Sequence, residues 1–326
     1  MKVNAIHYLF FILLVLFSRI SWSQENINRS KIEGKAIATI HSEGYPDWVE
    51  IGKNSVWISN EGLNLMQRYD PQTNKILANV KVKMPCAAFT IGFGSVWVAS
   101  CADHTIVRIN LKNNQIEAAI PLAIADAEGS IVAAEGGVWV LSDKKGKLLR
   151  IDPSTNKITA VIEVAPNSFA AVAGYGSIWI TNTGDDANVN GSVQRINPKT
   201  NKIEATISVG KQPRFLAAGE NGIWTLNQTD GSVSHIDPKT NKLITTILCD
   251  VPGTGGDISA GEGYVWVRAK KELLLVIDPK QNKIVEILGP PAGSGAVRAS
   301  HGSVWVTAHD INKIWKLDPK SFNKKK

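Results

Sequence analysis

The chain is poor in the residues and patterns by which sequences usually announce chemistry. Cysteine and methionine occur three times each in 326 residues, too few for a disulfide-dense scaffold. There is no Gly-x-Ser-x-Gly, no phosphate-binding glycine loop, no dinucleotide fingerprint and no His-x-x-x-His pair, so the enzyme classes that carry those signatures have no support. Charged residues make up 20% and apolar residues 44%, ordinary globular values that exclude disorder. The net charge is +7, yet the lysines are scattered through turns or sit in the terminal run Lys324 to Lys326. Without a basic stripe interleaved with aromatics, nucleic acid is not an expected partner.

Long apolar runs are also missing, with one exception. Tyr8 to Phe17 is unbroken, but a bilayer span needs about 20 residues. Met1 and Lys2 precede the run, Arg19 stops it, and Ser21 and Ser23 flank a cleavage point before Gln24. This is the layout of a secretory signal peptide. The expected organisation is a signal peptide over 1–23, a linker over 24–34, a folded body over 35–320 and a basic tail over 321–326. The mature protein is then periplasmic or secreted, with no membrane span after signal cleavage.

What the sequence does contain is repetition. A glycine-containing turn followed by Val or Ile and then Trp recurs seven times, at Trp57, Trp97, Trp139, Trp179, Trp224, Trp266 and Trp305, spaced by 40, 42, 40, 45, 42 and 39 residues. A second motif follows each tryptophan. It is clearest in Arg150-Ile151-Asp152-Pro153-Ser154-Thr155-Asn156-Lys157-Ile158 and in Arg195 to Ile203, with weaker copies around Asp70, Asn110, Asp237, Asp278 and Asp318. Each unit reads as four short strands; in the fifth these are 214–218, 222–226, 232–236 and 242–247. Val, Ile, Thr and Trp favour strands. Asp, Pro and Asn in the linking motif supply a turn. Four strands per unit of about 40 residues is the signature of a propeller. The expected fold is therefore all-β, a seven-bladed β-propeller of four-stranded blades. The seventh unit lacks a fourth strand, and Lys35 to Ile40 matches the fourth-strand segment Lys202 to Ile207. The N-terminal strand should thus complete the last blade and close the ring.

These repeats, Gly-Ser-Val-Trp-Val followed by Arg-Ile-Asp-Pro-x-Thr-Asn-Lys-Ile, resemble the YVTN and YncE-like propellers and are similar to the virginiamycin B lyase (streptogramin lyase) family. The resemblance covers nearly the whole body of the chain. It implies the propeller fold and, on the lyase side, a metal-dependent His/Glu site in the funnel. The lyase repeats read Trp-Phe-Thr-Glu. Here the residue three after each tryptophan is Asn60, Ser100, Ser142, Asn182, Asn227, Ala269 or Ala308, with no carboxylate, and the lyase His/Glu set has no residue-by-residue counterpart.

Propeller ligands meet the loops before strand one and after strand two, so residues that break the repeat there are the candidates. Before strand one these are Asp47, Trp48, Ser130, Arg214, Phe215 and Asp257, with Glu128 beside them and Glu50 and Arg298 deeper along the strand. After strand two they are Asn227, Arg268 and His309. The arginines offer bidentate donors and Trp48 and Phe215 offer stacking faces. The Asn and Ser at the third position after each tryptophan are expected to cap their own loops. The reading is a funnel that binds a polar or anionic small molecule or a protein partner, with the chain monomeric. The alternative is a metal-assisted lyase or hydrolase in the same funnel. No cofactor is expected, with Mg²⁺ or Zn²⁺ through His104 or His309 as the metal variant. Finally, Cys86 and Cys101 lie on opposite strands of one hairpin, at equal distance from its turn. Opposed residues have Cα atoms about 4.5–5.5 Å apart, within reach of a disulfide, so they are expected to pair and leave Cys249 free.

Overall fold

The structure, a computed structural model, describes residues 27–86, 88–128, 131–185 and 190–322. The signal segment, Ser130 and the last lysines lie outside the described residues. Six four-stranded sheets and one five-stranded sheet make up the described chain. The strands of the fifth blade run Pro213–Gly219, Gly222–Asn227, Ser232–Asp237 and Lys242–Leu248, within a residue or two of the boundaries expected from sequence. Closure also follows expectation. Ala36–His41 pairs antiparallel with Lys313–Leu317, matching Ala36 with Leu317 and Ile40 with Ile314.

One segment departs from expectation. Residues 28–31 are not linker: Asn28–Lys31 forms a parallel strand on the outer edge of blade six, against Lys283–Gly289. Its sequence, Asn-Arg-Ser-Lys, has no strand pattern; the exposed edge recruits it through backbone pairing. Ser30 and Lys35 then bond Glu286 at 2.8 and 3.1 Å, and Arg29 bonds Glu272 at 2.8 Å.

The seven repeat tryptophans are completely buried between blades. In blades two to six the indole N–H donates to the carbonyl five residues back, as from Trp97 to Gly92 at 3.1 Å and from Trp266 to Gly261 at 3.0 Å. Those glycines are required by close approach. A Cβ at Gly92 or Gly261 would stand 2.5 or 2.4 Å from the carbonyl oxygen of the next blade's inner strand.

In every blade but the sixth, the third-strand residue paired with the tryptophan clasps the neighbouring blade. Arg108 lies 5.0 Å over Trp97 and donates to Asn156 and to the Pro153 carbonyl at 3.1 and 2.6 Å. Arg68, Arg150 and Arg195 repeat this toward Asn114, Asn201 and Asn241 at 2.9, 3.2 and 2.9 Å. His235 stacks on Trp224 at 3.6 Å and bonds Asn282 at 2.8 Å, and Lys316 reaches the Pro71 carbonyl. The receiving asparagines all sit in turns with positive φ, between 56° and 61° for Asn114, Asn156, Asn201 and Asn241, a conformation Asn accepts readily. The turn motif thus does two jobs, bending its own blade and receiving its neighbour.

Across from each tryptophan on the inner strand stand Glu50, Thr90, Val132, Val172, Ala217, Ser259 and Arg298. All seven face the central channel. Above them the channel is stopped by aromatic rings. Trp48 and Phe169 pack on Phe215 with centroids 5.6 and 5.5 Å apart, and all three are at most 5% exposed.

Candidate functional site

Above the aromatic plug, inner-strand starts and the loops after strand two enclose a funnel with two lobes. The first, of about 350 Å³, is built from five blades and lies over the plug: Asp47 and Glu61, Cys86, Glu128, Lys270, and His309 with Asp310 face it. The second, of about 360 Å³, lies over blades three to five and presents Asp126, Lys144, Asn167, Phe169, Gln212 and Arg214. Glu128 and Arg214 join the lobes, 3.6 Å apart, and the Arg214 guanidinium rests 4.6 Å over the Phe169 ring.

The first lobe gathers carboxylates faster than cations. Burial pushes Asp47 up to about 7, a rise that the charges of Glu128, Glu61 and Asp257 increase and that His309 moderates. Burial likewise raises Glu128, partly offset by Arg214. Asp310 moves the other way: its hydrogen bond with His309 Nδ1, at 2.7 Å, holds the carboxyl below its usual range. The imidazole of His309 stacks on Tyr45 at 5.1 Å. A carboxyl balanced near neutrality beside an imidazole is able to exchange protons at physiological pH.

Known proteins resemble this architecture. Residues 196–326 match a family model described as a domain of unknown function (DUF5074), and residues 94–214 match a repeat of unknown function (DUF6923). No curated protein sequence matches the chain. Among solved structures, virginiamycin B lyase from Staphylococcus aureus is 19% identical, with a TM-score of 0.70 over 86% of this chain and 98% of that one. A catalytically inactive variant of the same lyase with quinupristin is 18% identical, with a TM-score of 0.72 over the same shares. A streptogramin B lyase structure is 18% identical, with a TM-score of 0.68 over 86% and 94%. The chain has the virginiamycin B lyase fold.

Among the described residues no three His, Cys, Asp or Glu side chains stand where they could hold one metal ion. His309 is engaged by Asp310, and Asp103, beside His104, is held by Lys83 at 3.0 Å. The described residues therefore do not fit the metal-dependent arrangement that the resemblance implies.

The sequence-predicted residues separate into groups. Asp47 and His309 line the first lobe and Arg214 the second. Ser130 lies outside the described residues. Trp48 and Phe215 are not open stacking faces but parts of the plug, 4% exposed each. Asn227 is fully buried and bonded to Thr225, Ser232 and Ser234 at 2.9 Å each. Arg268 is fully buried too, donating to the carbonyls of Thr307, Ala269, Ala292 and Ser294; burial lowers its guanidinium to about 10. Arg298 lines the channel below the plug and pairs with both Asp257 and Glu50. The ligand contact expected of Asn227 and Arg268 thus gives way to structural bonds, because each has neighbours that satisfy it, and Arg298 is set apart from the funnel by the plug. The capping reading holds for three of the residues at the third position after Trp, which donate to carbonyls of the loop before strand one: Asn60 to Glu43 at 2.6 Å, Ser100 to Lys83 at 2.7 Å, and Asn182 to Pro166; Asn227 bonds side chains instead.

Cys86 and Cys101 form a disulfide with Cα atoms 5.9 Å apart, leaving Cys249 free and buried. The ladder that holds them does not run unbroken from the turn. It stops after Thr90 with Trp97 and resumes at the single bridge of Pro85 with Ser100. The bridge ties the funnel wall to the loop after strand two. Sequence reasoning missed Glu61 and Lys270. A signal existed: both stand four residues after a repeat tryptophan, in register with Cys101, Asp143, Gln228 and His309. The third position after Trp caps the loop; the fourth faces the funnel in blades one, six and seven.

Proposed function

We propose that this protein is an exported binding propeller whose upper funnel holds a small polar molecule, with a cationic group of that molecule in the acidic lobe. The observation that carries the reading is the convergence of Asp47, Glu61, Glu128 and Asp310 against Lys270 and His309 in one concave space. A single polar cavity on the axis of a closed scaffold is the default ligand site. Of the three arginines that favoured an anionic ligand in sequence, only Arg214 reaches the funnel, and it faces Glu128. The remaining polarity of the second lobe suits the rest of a dipolar ligand. The concave shape favours a small molecule over a protein surface. The disulfide supports export, since such bonds persist in oxidising compartments.

The test is calorimetry of the mature chain against matched amines, zwitterions and carboxylates, read beside Asp47→Asn and His309→Ala. Amines or zwitterions should bind and weaken about tenfold in Asp47→Asn, the loss of one charge-assisted contact. Binding of carboxylates alone overturns the charge assignment, and binding untouched by either substitution overturns the site. Cell fractionation checks export.

A second reading, a lyase or hydrolase of the same funnel, rests on Asp47 held near 7 beside His309. Incubation with quinupristin, followed by chromatography, separates the readings: the binding propeller leaves it unconverted.

A further inference from the structure

Below the aromatic plug the channel opens again into a cavity of about 240 Å³, facing the opposite side of the molecule from the funnel. Its wall mixes polar surface with small apolar side chains, Val132, Val172, Ala173 and Ala217 among them. One side carries charge. Arg298 donates through Nε to Glu50 at 2.7 Å and through Nη1 to Asp257. Two carboxylates therefore face one guanidinium. Burial works against the Arg298 charge, but the two carboxylates overcome it and keep it firmly protonated. The Glu50 Oε2 and Arg298 Nη2 atoms make no hydrogen bond among the described residues, and both side chains keep partial exposure, 25% and 22%.

We propose that this lower cavity is a second binding site, for a small organic cation: a primary ammonium on a short aliphatic body. The ammonium donates to the open Glu50 Oε2 and adds a second cation to a triad in which two carboxylates share one guanidinium, a charge-assisted bond. The aliphatic body covers the alanine and valine wall. The volume falls below the range of about 300–1,000 Å³ typical of drug-sized ligands, so the guest is small. Trp48, Phe169 and Phe215 stand between this cavity and the funnel, and the site is independent of the funnel reading.

The probe is n-butylammonium, followed by NMR of the methyl-labelled mature protein, with 1-butanol and butyrate as matched controls. Butylammonium should give saturable millimolar shifts at Val132, Val172 and Ala217 and leave the Asp47 lobe unmoved. Butanol should bind at least about tenfold more weakly, the cost of losing a charge-assisted bond. Glu50→Gln should weaken butylammonium by a similar factor, and Val172→Phe, which fills the cavity, should abolish it while thermal unfolding confirms the fold. Ala217→Val repeats the blockade if Val172→Phe does not fold. Butanol binding as well as butylammonium would reduce the site to an apolar void. Butyrate binding as well or better would reverse the charge assignment, and absence of saturable shifts would remove the site altogether.

Discussion

The seams between blades one and five and the seam between blades six and seven solve the same problem differently. In the first set an arginine lies on the buried tryptophan and reaches the asparagine of the next blade's turn, four times over. Blade six has Val276 where that arginine would be, paired with Trp266. Its tryptophan packs instead on Phe322, with ring centroids 5.0 Å apart. Ile32 is completely buried in the same apolar cluster as Trp266, Leu274 and Phe322. Lys35 lies 4.6 Å over Phe322. On the channel side, Arg298 of blade seven ties Asp257 of blade six to Glu50 of blade one. The regular seams are held by a polar clasp written in each repeat. The irregular seam is held by the two chain ends and one ion triad, so closure depends on segments far apart in sequence.

The sharpest way to break this comparison is to remove the terminal clasp. Deleting residues 27–41 uncovers the edges of blades six and seven and opens the apolar cluster. The melting temperature should fall by on the order of 10 °C or more, since each kcal/mol is worth about 2–4 °C at this size. An unchanged melt would show that the ring closes without its N-terminal strands.

Arg298→Ala comes next. It strands Asp257 and Glu50 without their cation, and breaking such a pair costs about 3–5 kcal/mol. Adding Asp257→Asn and Glu50→Gln to the same chain should restore part of the loss in urea unfolding; no recovery would mean that Arg298 acts through packing alone. Replacing Cys86 and Cys101 by serine should cost about 3 kcal/mol or less for the short loop they close. Mapping of non-reduced peptides should find the two cysteines linked. Arg150→Ala removes a cation–π contact and the bonds to Asn201 and the Pro198 carbonyl, and should cost about 1–2 kcal/mol. A loss there as large as that of Arg298→Ala would erase the distinction between the seams.

Asp47→Asn gives the smallest effect and is read through pH. Because the folded carboxyl titrates near 7 rather than 3.8, its contribution is complete below the unfolded value and is lost as pH rises through about 7. The variant should therefore gain stability relative to the parent across that window, by on the order of 1 kcal/mol after solvent screening. A constant difference between pH 4 and 8 would refute the assignment.

The propeller was legible because its information is periodic. Trp57 to Trp305 mark the blades, the turn motif marks the link to strand four, and the missing last strand points to Ala36–His41 as its replacement. Asn28–Lys31 was not legible, since its place comes from an edge offered by blade six rather than from its own side chains. The site was legible only in part. Sequence gives the height of a residue along its blade, and Asp47, Arg214 and His309 do face the funnel. It does not give what the neighbouring blade offers, and that decides whether Arg268 meets solvent or four carbonyls. Breaks in pairing register on the inner strands, between Pro46 and Val49 and between Pro213 and Phe215, also turn Trp48 and Phe215 into the plug. Glu61 and Lys270 were hidden because a charged residue in a loop after strand two reads as solvated, and only the neighbouring blades turn these two toward the funnel.

The clasp between Arg and Asn has a consequence for how such a chain grows. Each regular repeat carries both hook and eye, the arginine on its third strand and the asparagine in its turn. A tandem duplicate of blade three or four would arrive able to join either neighbour, because it presents the same hook on one side and the same eye on the other. A copy of blade six would bring an eye, Asn282, but no hook. Gene duplication within the regular arc thus preserves fit without further change, whereas any added blade at the irregular seam would have to wait for the chain ends to adapt.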